Sequence, residues 1–283
     1  MDSDGREEAR AAVPDASDTA KGFDARPNRR RGRAWFAAKV VALLAAVVVA
    51  FAGCGGGGGG SEKAKPAKTP TATTLAPGYT LAAQVKGPQI GIYDDPSAAT
   101  PSKTLPNPWL LNDEPDKKIP QVFLVEQQRR DGWVKVLLAE RPNGSTGWVR
   151  ASDVQLTPNP YHLKVSLGDH KITVFQGKNS IYQGPVAIGA ADTPTPPGTY
   201  YTRVLIQAPD PNTVYGPFAY GLSAHSDVLT EYNGGDAEVG VHGNNDPSVL
   251  GKSVTHGCIR MDNDQITKLS KVLPLGTPVE IVN

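Results

Sequence analysis

The sequence holds only two cysteines in 283 residues, two methionines and an aromatic share of 7%. Two thiols, Cys54 and Cys258, allow neither a disulfide-stapled mini-protein nor a zinc finger of the four-cysteine kind. Net charge is also scarce: 29 Lys and Arg face 28 Asp and Glu, leaving +1. From Cys54 onward 20 bases meet 21 acids, net −1, so this part has no electrostatic drive toward nucleic acid. What is plentiful is glycine and proline, 30 and 25 residues, a fifth of the chain against a usual share of roughly 12%. That excess disfavours a helical bundle and suits linkers and short strands joined by turns. A hydrophobic fraction of 39% is enough for a core, which excludes wholesale disorder. The length predicts about two domains.

The N-terminus reads as an export signal. Residues 1–33 carry seven acids and eight bases, and Arg26, Arg29, Arg30, Arg31 and Arg33 follow one another without an acid between. Residues 34–54 are apolar apart from Lys39 up to Gly53, with an uninterrupted run of 13 residues from Val40 to Ala52. A basic flank before an apolar run keeps the N-terminus cytoplasmic and sends the rest across. Thirteen residues fit a signal-peptide core better than a full span of about 20, although a snorkelling Lys39 would let Ala34–Gly53 span. The run ends in Phe51-Ala52-Gly53-Cys54, which resembles a bacterial lipobox, with Phe51 where Leu is commoner. That resemblance implies lipidation of Cys54; an uncleaved anchor and an unmodified cysteine are the alternatives. A lipid or helical anchor predicts an extracytoplasmic, membrane-tethered protein facing the cell wall. Residues 55–78 follow as a flexible linker. Six glycines, Gly55–Gly60, open it, and no aromatic or large apolar residue occurs up to Thr74. Twenty such residues have an r.m.s. span of about 25 Å.

Residues 79–157 read as a small β domain. Gly132-Trp133-Val134-Lys135 and Gly147-Trp148-Val149-Arg150 form a near-repeat around Arg141-Pro142-Asn143-Gly144-Ser145, a turn with Asn-Gly at its centre. Val134, Val136 and Leu138 alternate with other residues, as in a half-buried strand. The segment resembles bacterial SH3-like domains, small barrels. Trp133 and Trp148 are then either barrel core or part of a groove for a wall peptide. Thr157-Pro158-Asn159-Pro160 marks a boundary. Beyond it, in 160–283, Tyr161, Leu163, Val165 and Leu167 alternate with polar residues. Strands are expected at 172–175, 181–188, 199–205, 239–241 and 279–282. One helix is expected after Asp262 or Asn263, with Ile266, Leu269 and Leu273 on one face and Pro274 and Gly276 ending it. The fold class is thus mainly β with one late helix.

The chemistry lies in Val239–Met261. His242 ends a short apolar strand and Gly243 follows; thirteen residues separate His242 from His256-Gly257-Cys258-Ile259-Arg260. A free thiol has a pKa near 8.5 and needs a base at neutral pH. An imidazole supplies it and stabilises the thiolate as an ion pair. Its second nitrogen needs an acceptor, which a backbone carbonyl provides. Amides near Gly257 and Cys258 are placed to face an oxyanion, and Arg260 to pair with a substrate carboxylate.

This string closely resembles the signature of L,D-transpeptidases of the YkuD type: His-Gly, about a dozen residues, Ser or Thr, then His-Gly-Cys, an apolar residue, and Arg or Asn. Here these are His242-Gly243, Thr255, His256-Gly257-Cys258, Ile259 and Arg260; Pro194–Tyr200 is also typical. The resemblance implies a YkuD-like β-sandwich catalytic domain over 160–283, preceded by the SH3-like barrel. It implies that Cys258 attacks the third residue of a peptidoglycan stem tetrapeptide, releases D-Ala, and passes the acyl group to another stem as a 3→3 cross-link. His242 is the expected base, oriented by the Gly243 carbonyl, with His256 assisting. Arg260, Gly257, Thr255 and Tyr220 are expected substrate contacts, and carbapenems are expected to acylate the thiol. A zinc site at His242, His256 and Cys258 lacks an evident fourth ligand, so neither metal nor cofactor is expected. His225 is expected to be structural, and residues 206–236 to form a flap over the thiol.

Sortase-like enzymes share the His, Cys, Arg order but have a Thr-Leu-x-Thr-Cys strand and a longer gap. Cell-wall endopeptidases with SH3-like domains place Cys before His. An L,D-carboxypeptidase would use the same residues with water as acceptor. A lipid-anchored, non-catalytic wall-binding protein is the non-enzyme alternative.

Overall fold

The computed structural model describes residues 74–232 and 235–283. The expected signal segment, Cys54 and nearly all of the linker lie outside the described residues.

The first segment contains β1 (Thr80–Val85), β2 (Gln89–Ile92), β3 (Lys103–Pro106), β4 (Trp109–Leu110), β5 (Lys118–Ile119), β6 (Val122–Gln128), β7 (Trp133–Leu137), β8 (Thr146–Arg150) and β9 (Val154–Asn159). Five of these form an antiparallel sheet in the order β8-β7-β6-β1-β9. The near-repeat is the β7–β8 hairpin, with Trp133 opposite Arg150 and Leu137 opposite Thr146. Gly144, at φ 83°, takes the left-handed position that the Asn-Gly turn requires. Val134, Val136 and Val149 are buried together with Phe123 and Ile92 in this segment's core. Trp133 is buried, whereas Trp148 is half-buried under the Arg129 guanidinium. Thr157 to Asn159 is strand rather than loop, because Pro158 lies on edge strand β9, where a missing N–H costs nothing.

The second segment runs β10 (Tyr161–Ser166), β11 (Lys171–Gln176), β12 (Asn179–Pro185), β13 (Ile188–Gly189), β14 (Gly198–Gln207), β15 (Phe218–His225), β16 (Glu238–His242), β17 (Ser253–Thr255), β18 (Ile259–Arg260), α1 (Asn263–Leu269) and β19 (Pro278–Val282). Eight strands form one sheet, β12-β11-β10-β19-β14-β15-β16-β18. Strand β14 belongs to both halves. Gly198–Tyr201 pair with β19, and from Thr202 onward the ladder passes to β15 with a register shift. The halves close on one core, with Leu163, Val165, Ile172 and Val174 from one side and Leu222, Val239, Val241 and Ile259 from the other. This is the expected β-sandwich.

Helix α1 is capped as expected, since the Asp262 carboxylate accepts the Gln265 N–H at 3.0 Å. It is shorter than expected. Regular helix stops at Leu269, and Val272 and Leu273 turn back onto the Leu269 carbonyl. Leu273 nevertheless reaches the core from that turn. The expected flap over 206–236 is also corrected: its middle is β15, a strand inside the sheet.

Candidate active site

Strands β16 and β18 build the site. They pair in parallel, with Val241 opposite Ile259 and His242 opposite Arg260. Val241 and Ile259 point into the core and are fully buried, each contributing about 1.5–3 kcal/mol. Because side chains alternate, the neighbours of this pair face the other way. His242 and Arg260 therefore stand side by side, with Cys258 two residues before Arg260 on the same face. Gly240, two residues before His242, lies beside the thiol, and its N–H donates to Cys258 Sγ at 3.4 Å. A Cβ at Gly240 would sit 4.0 Å from that sulfur and 3.9 Å from His242 Cδ2. The missing side chain leaves the space between thiol and imidazole open.

The loop before Cys258 is held from the Thr193–Thr195 turn. Thr195 Oγ1 accepts the Gly189 N–H at 2.9 Å and donates to the Gly257 carbonyl at 2.8 Å. Thr193 Oγ1 donates to the Thr255 carbonyl at 3.1 Å. Gly257 has φ 116°, a conformation that excludes ordinary side chains. The loop after His242 is clamped by Asn263 at the start of α1. Its amide accepts the Asn244 N–H and donates to the Asn244 carbonyl, both at 2.8 Å. Asn244 in turn donates to the Met261 carbonyl at 2.8 Å. Thr195, Asn244 and Asn263 carry no nucleophile or base, so they are not legible as site residues in the sequence. Their role appears only once the main chain they bind is in place.

His242 Nδ1 lies 2.7 Å from the Gly243 carbonyl. A carbonyl only accepts, so Nδ1 carries the proton and Nε2 keeps its lone pair. Burial holds the imidazole down to a pKa of about 4, opposed by main-chain hydrogen bonds at Gly243 and, less, Val214, and reinforced by the nearby Arg260 charge. Burial likewise raises the Cys258 thiol, against smaller lowering effects from the Gly240 amide and Arg260. Burial thus disfavours the charged form of both groups. Arg260 Nε is buried with no acceptor among the described residues, beside the pocket that Cys258 and His242 share.

The other expected residues fall into two groups. His256 is exposed at the pocket, with its Nδ1 3.4 Å from the Tyr232 hydroxyl and the two rings 5.2 Å apart. Thr255 is buried at the pocket wall, but its hydroxyl donates to the Cys258 carbonyl at 2.6 Å and accepts the Gly257 N–H at 3.2 Å. It braces the loop, and the Gly257 amide is already engaged. Tyr220 is a correction. It is 1% exposed in the core, with its hydroxyl donating to the Leu269 and Leu273 carbonyls at 3.2 and 3.0 Å. Core packing, not substrate, explains it. His225 is buried, 3.2 Å from the Asp236 carboxylate. The flanks of β15 complete the pocket. Val214 and Tyr215 come from one side, with the Tyr215 ring 5.0 Å from that of His242, and Leu229 and Tyr232 from the other.

Residues 160–281 match the YkuD family, described as the L,D-transpeptidase catalytic domain. The YkuD protein of Bacillus subtilis strain 168 is 35% identical over 122 residues, which cover 43% of this chain and 66% of that protein. The YkuD protein of Bacillus licheniformis is 32% identical over 154 residues, 52% of this chain and 85% of that protein. Among solved structures, an L,D-transpeptidase from Mycobacterium tuberculosis is 16% identical, with a TM-score of 0.38 over 51% of this chain and 75% of that one. On the family match, and on a relative at 32% identity covered over most of its length, this chain belongs to the YkuD family of L,D-transpeptidase catalytic domains.

Proposed function

We propose that this protein is a cysteine-dependent peptidoglycan L,D-transpeptidase that forms 3→3 cross-links. The observation that carries the reading is the shared face of β16 and β18, which groups a thiol, a buried imidazole of fixed tautomer and an arginine whose Nε is buried. Cys258 Sγ attacks the carbonyl of the third residue of a stem tetrapeptide. The thiol proton passes to His242 Nε2 as the S–C bond forms, which a neutral pair permits without a preformed thiolate. Of the two amides expected to face the oxyanion, that of Cys258 serves, because Gly257's is bound to Thr255. The C–N bond to the terminal D-Ala then breaks and its amine takes the proton from His242, leaving a thioester. A side-chain amine of a second stem attacks this thioester and gives its proton to His242; the C–S bond breaks and the leaving sulfur takes that proton, restoring thiol and imidazole. Arg260, with its unpaired buried Nε, holds a stem carboxylate, and exposed His256 contacts the donor at the pocket mouth.

The same proposal places the enzyme outside the cytoplasm. Cys54 carries a lipid anchor, residues 55–78 span the gap to the wall, and residues 79–157 form an SH3-like module. The catalytic step uses no cofactor, and carbapenems acylate Cys258.

Incubating the full chain with a disaccharide-tetrapeptide, beside Cys258→Ala, tests the proposal by mass spectrometry. A dimer lacking one D-Ala is expected from the native chain and none from the variant. Tripeptide alone would make it an L,D-carboxypeptidase. No Cys258-dependent product and no carbapenem adduct would end the enzymatic reading.

A further inference from the structure

The hairpin turn between β7 and β8, in the first segment, reaches the chain that walls the thiol pocket in the second. Arg141 extends its guanidinium into the segment joining β15 to β16. Nη1 donates to the Ser226 carbonyl at 2.6 Å, and Nη2 donates to the carbonyls of Leu229 and Asp236 at 3.0 and 3.1 Å. Nε lies 3.4 Å from Asp236 Oδ1. Two residues on, Asn143 continues the contact. Its Oδ1 accepts the His225 N–H at 2.9 Å, and its Nδ2 donates to the His225 carbonyl at 2.7 Å and to Asp227 Oδ1 at 3.0 Å. Leu229 is itself a pocket residue, and Ala237, which follows Asp236, is another.

The segment's own cross-links are sparse. Among its described residues, Ser226 N–H donates to the Ala237 carbonyl, Tyr232 and Gly235 exchange main-chain bonds, the Ser226 hydroxyl accepts from Val228 and Leu229, Asp236 meets His225, and Tyr232 meets His256. An excursion leaving one strand and returning on the next has little of its own to fix its wall residues. The planar fork of an arginine spread over three carbonyls fixes three points at once.

We infer that Arg141 and Asn143 are positioning residues for the active site: the first β segment sets the Leu229 side of the pocket and thereby orients the acyl donor beside Cys258. The part about the donor rests on the transpeptidase reading; the brace itself does not. The first segment then serves catalysis directly, whatever it binds elsewhere.

Two measurements on the full chain separate these parts. Hydrogen exchange across Asp227–Tyr232 is expected to speed up in Arg141→Ala and in Asn143→Ala. It is expected to stay native in Arg129→Ala, which removes the same charge from another turn of the same segment. Unchanged exchange in both variants overturns the brace, whether or not the enzyme is active. In steady-state assays with tetrapeptide donor, Arg141→Ala is expected to lose on the order of 10- to 100-fold in kcat/KM, mainly through KM. Alkylation of Cys258 by iodoacetamide, too small to need the wall, is expected to stay within about twofold. Arg141→Lys, able to reach one carbonyl but not three, is expected to recover part of the loss. Donor kinetics equal to native, or alkylation falling in parallel with them, overturns the positioning role. A native chain without product, but with faster exchange in the variants, refutes the transpeptidase reading and leaves the brace standing.

Discussion

Burial disfavours the charged form of both the thiol and the imidazole, and this has a kinetic signature. A thiolate–imidazolium pair would be alkylated at a constant rate across neutral pH. A thiol raised above its usual range by burial is not. Iodoacetamide alkylation of Cys258 is therefore expected to climb with pH into the alkaline range, with no plateau between about pH 5 and 8. The base follows the opposite sign. His242 is held at about 4, so Nε2 is free at every pH above that value. The acid limb of kcat/KM belongs near pH 4 instead of near the ordinary histidine value of about 6.5. A flat alkylation plateau at neutral pH, or an acid limb near 6.5, would restore the ion pair. These two residues are legible in the sequence because their side chains do the chemistry and glycines flank both. Tyr220 is not: it lies on the core face of β15.

At the scale of elements, the strands were readable because one face of each is buried. Leu163 and Val165 alternate inward along β10, as Ile172 and Val174 do along β11. Strand β15 was hidden by the prolines and glycines around it, which made a central strand look like part of a loop. The support of the nucleophile loop was equally hidden, since it consists of side chains bound to main chain. Thr195→Val tests it. The change keeps shape but strips partners from the Gly189 N–H and the Gly257 carbonyl, each costing about 1–3 kcal/mol when left unpaired and buried. A fall in Tm of several degrees, roughly 2–4 °C per kcal/mol, is expected. With it, kcat/KM is expected to drop by on the order of 10- to 100-fold as Cys258 loses its frame. Thr195→Ser keeps the hydroxyl and is expected to stay near native in kcat/KM. A valine variant that stays near native would show that the hydroxyl does not hold the loop.

At the scale of the described molecule, the two β segments are less separate than their composition implies. Tyr201, on β14, is fully buried in the core of the first segment. Asn159 donates to Thr277 Oγ1 at 3.0 Å, and Arg203 pairs with Glu238 while lying 4.0 Å from the Trp109 ring centroid. Nothing in the alternation of either segment announces these crossings, because each is a single residue without a period. Tyr201→Ala, a large-to-small core change worth about 3–5 kcal/mol, checks the coupling. Calorimetry is expected to show one transition in the native chain, moved as a whole by the substitution. Two transitions, only one of them shifted, would mean that the segments unfold independently.

Strand β19 lies in the interior of the eight-stranded sheet, between β10 and β14, and pairs in parallel with β10. A ribosome makes β10 well before β19, with more than a hundred residues between them. Until β19 emerges, β10 and β14 each present an open edge of unpaired N–H and C=O groups. Closure of the sandwich, and with it the alignment of thiol and imidazole, therefore waits for β19: a chain that stops short of Pro278 carries no finished active site.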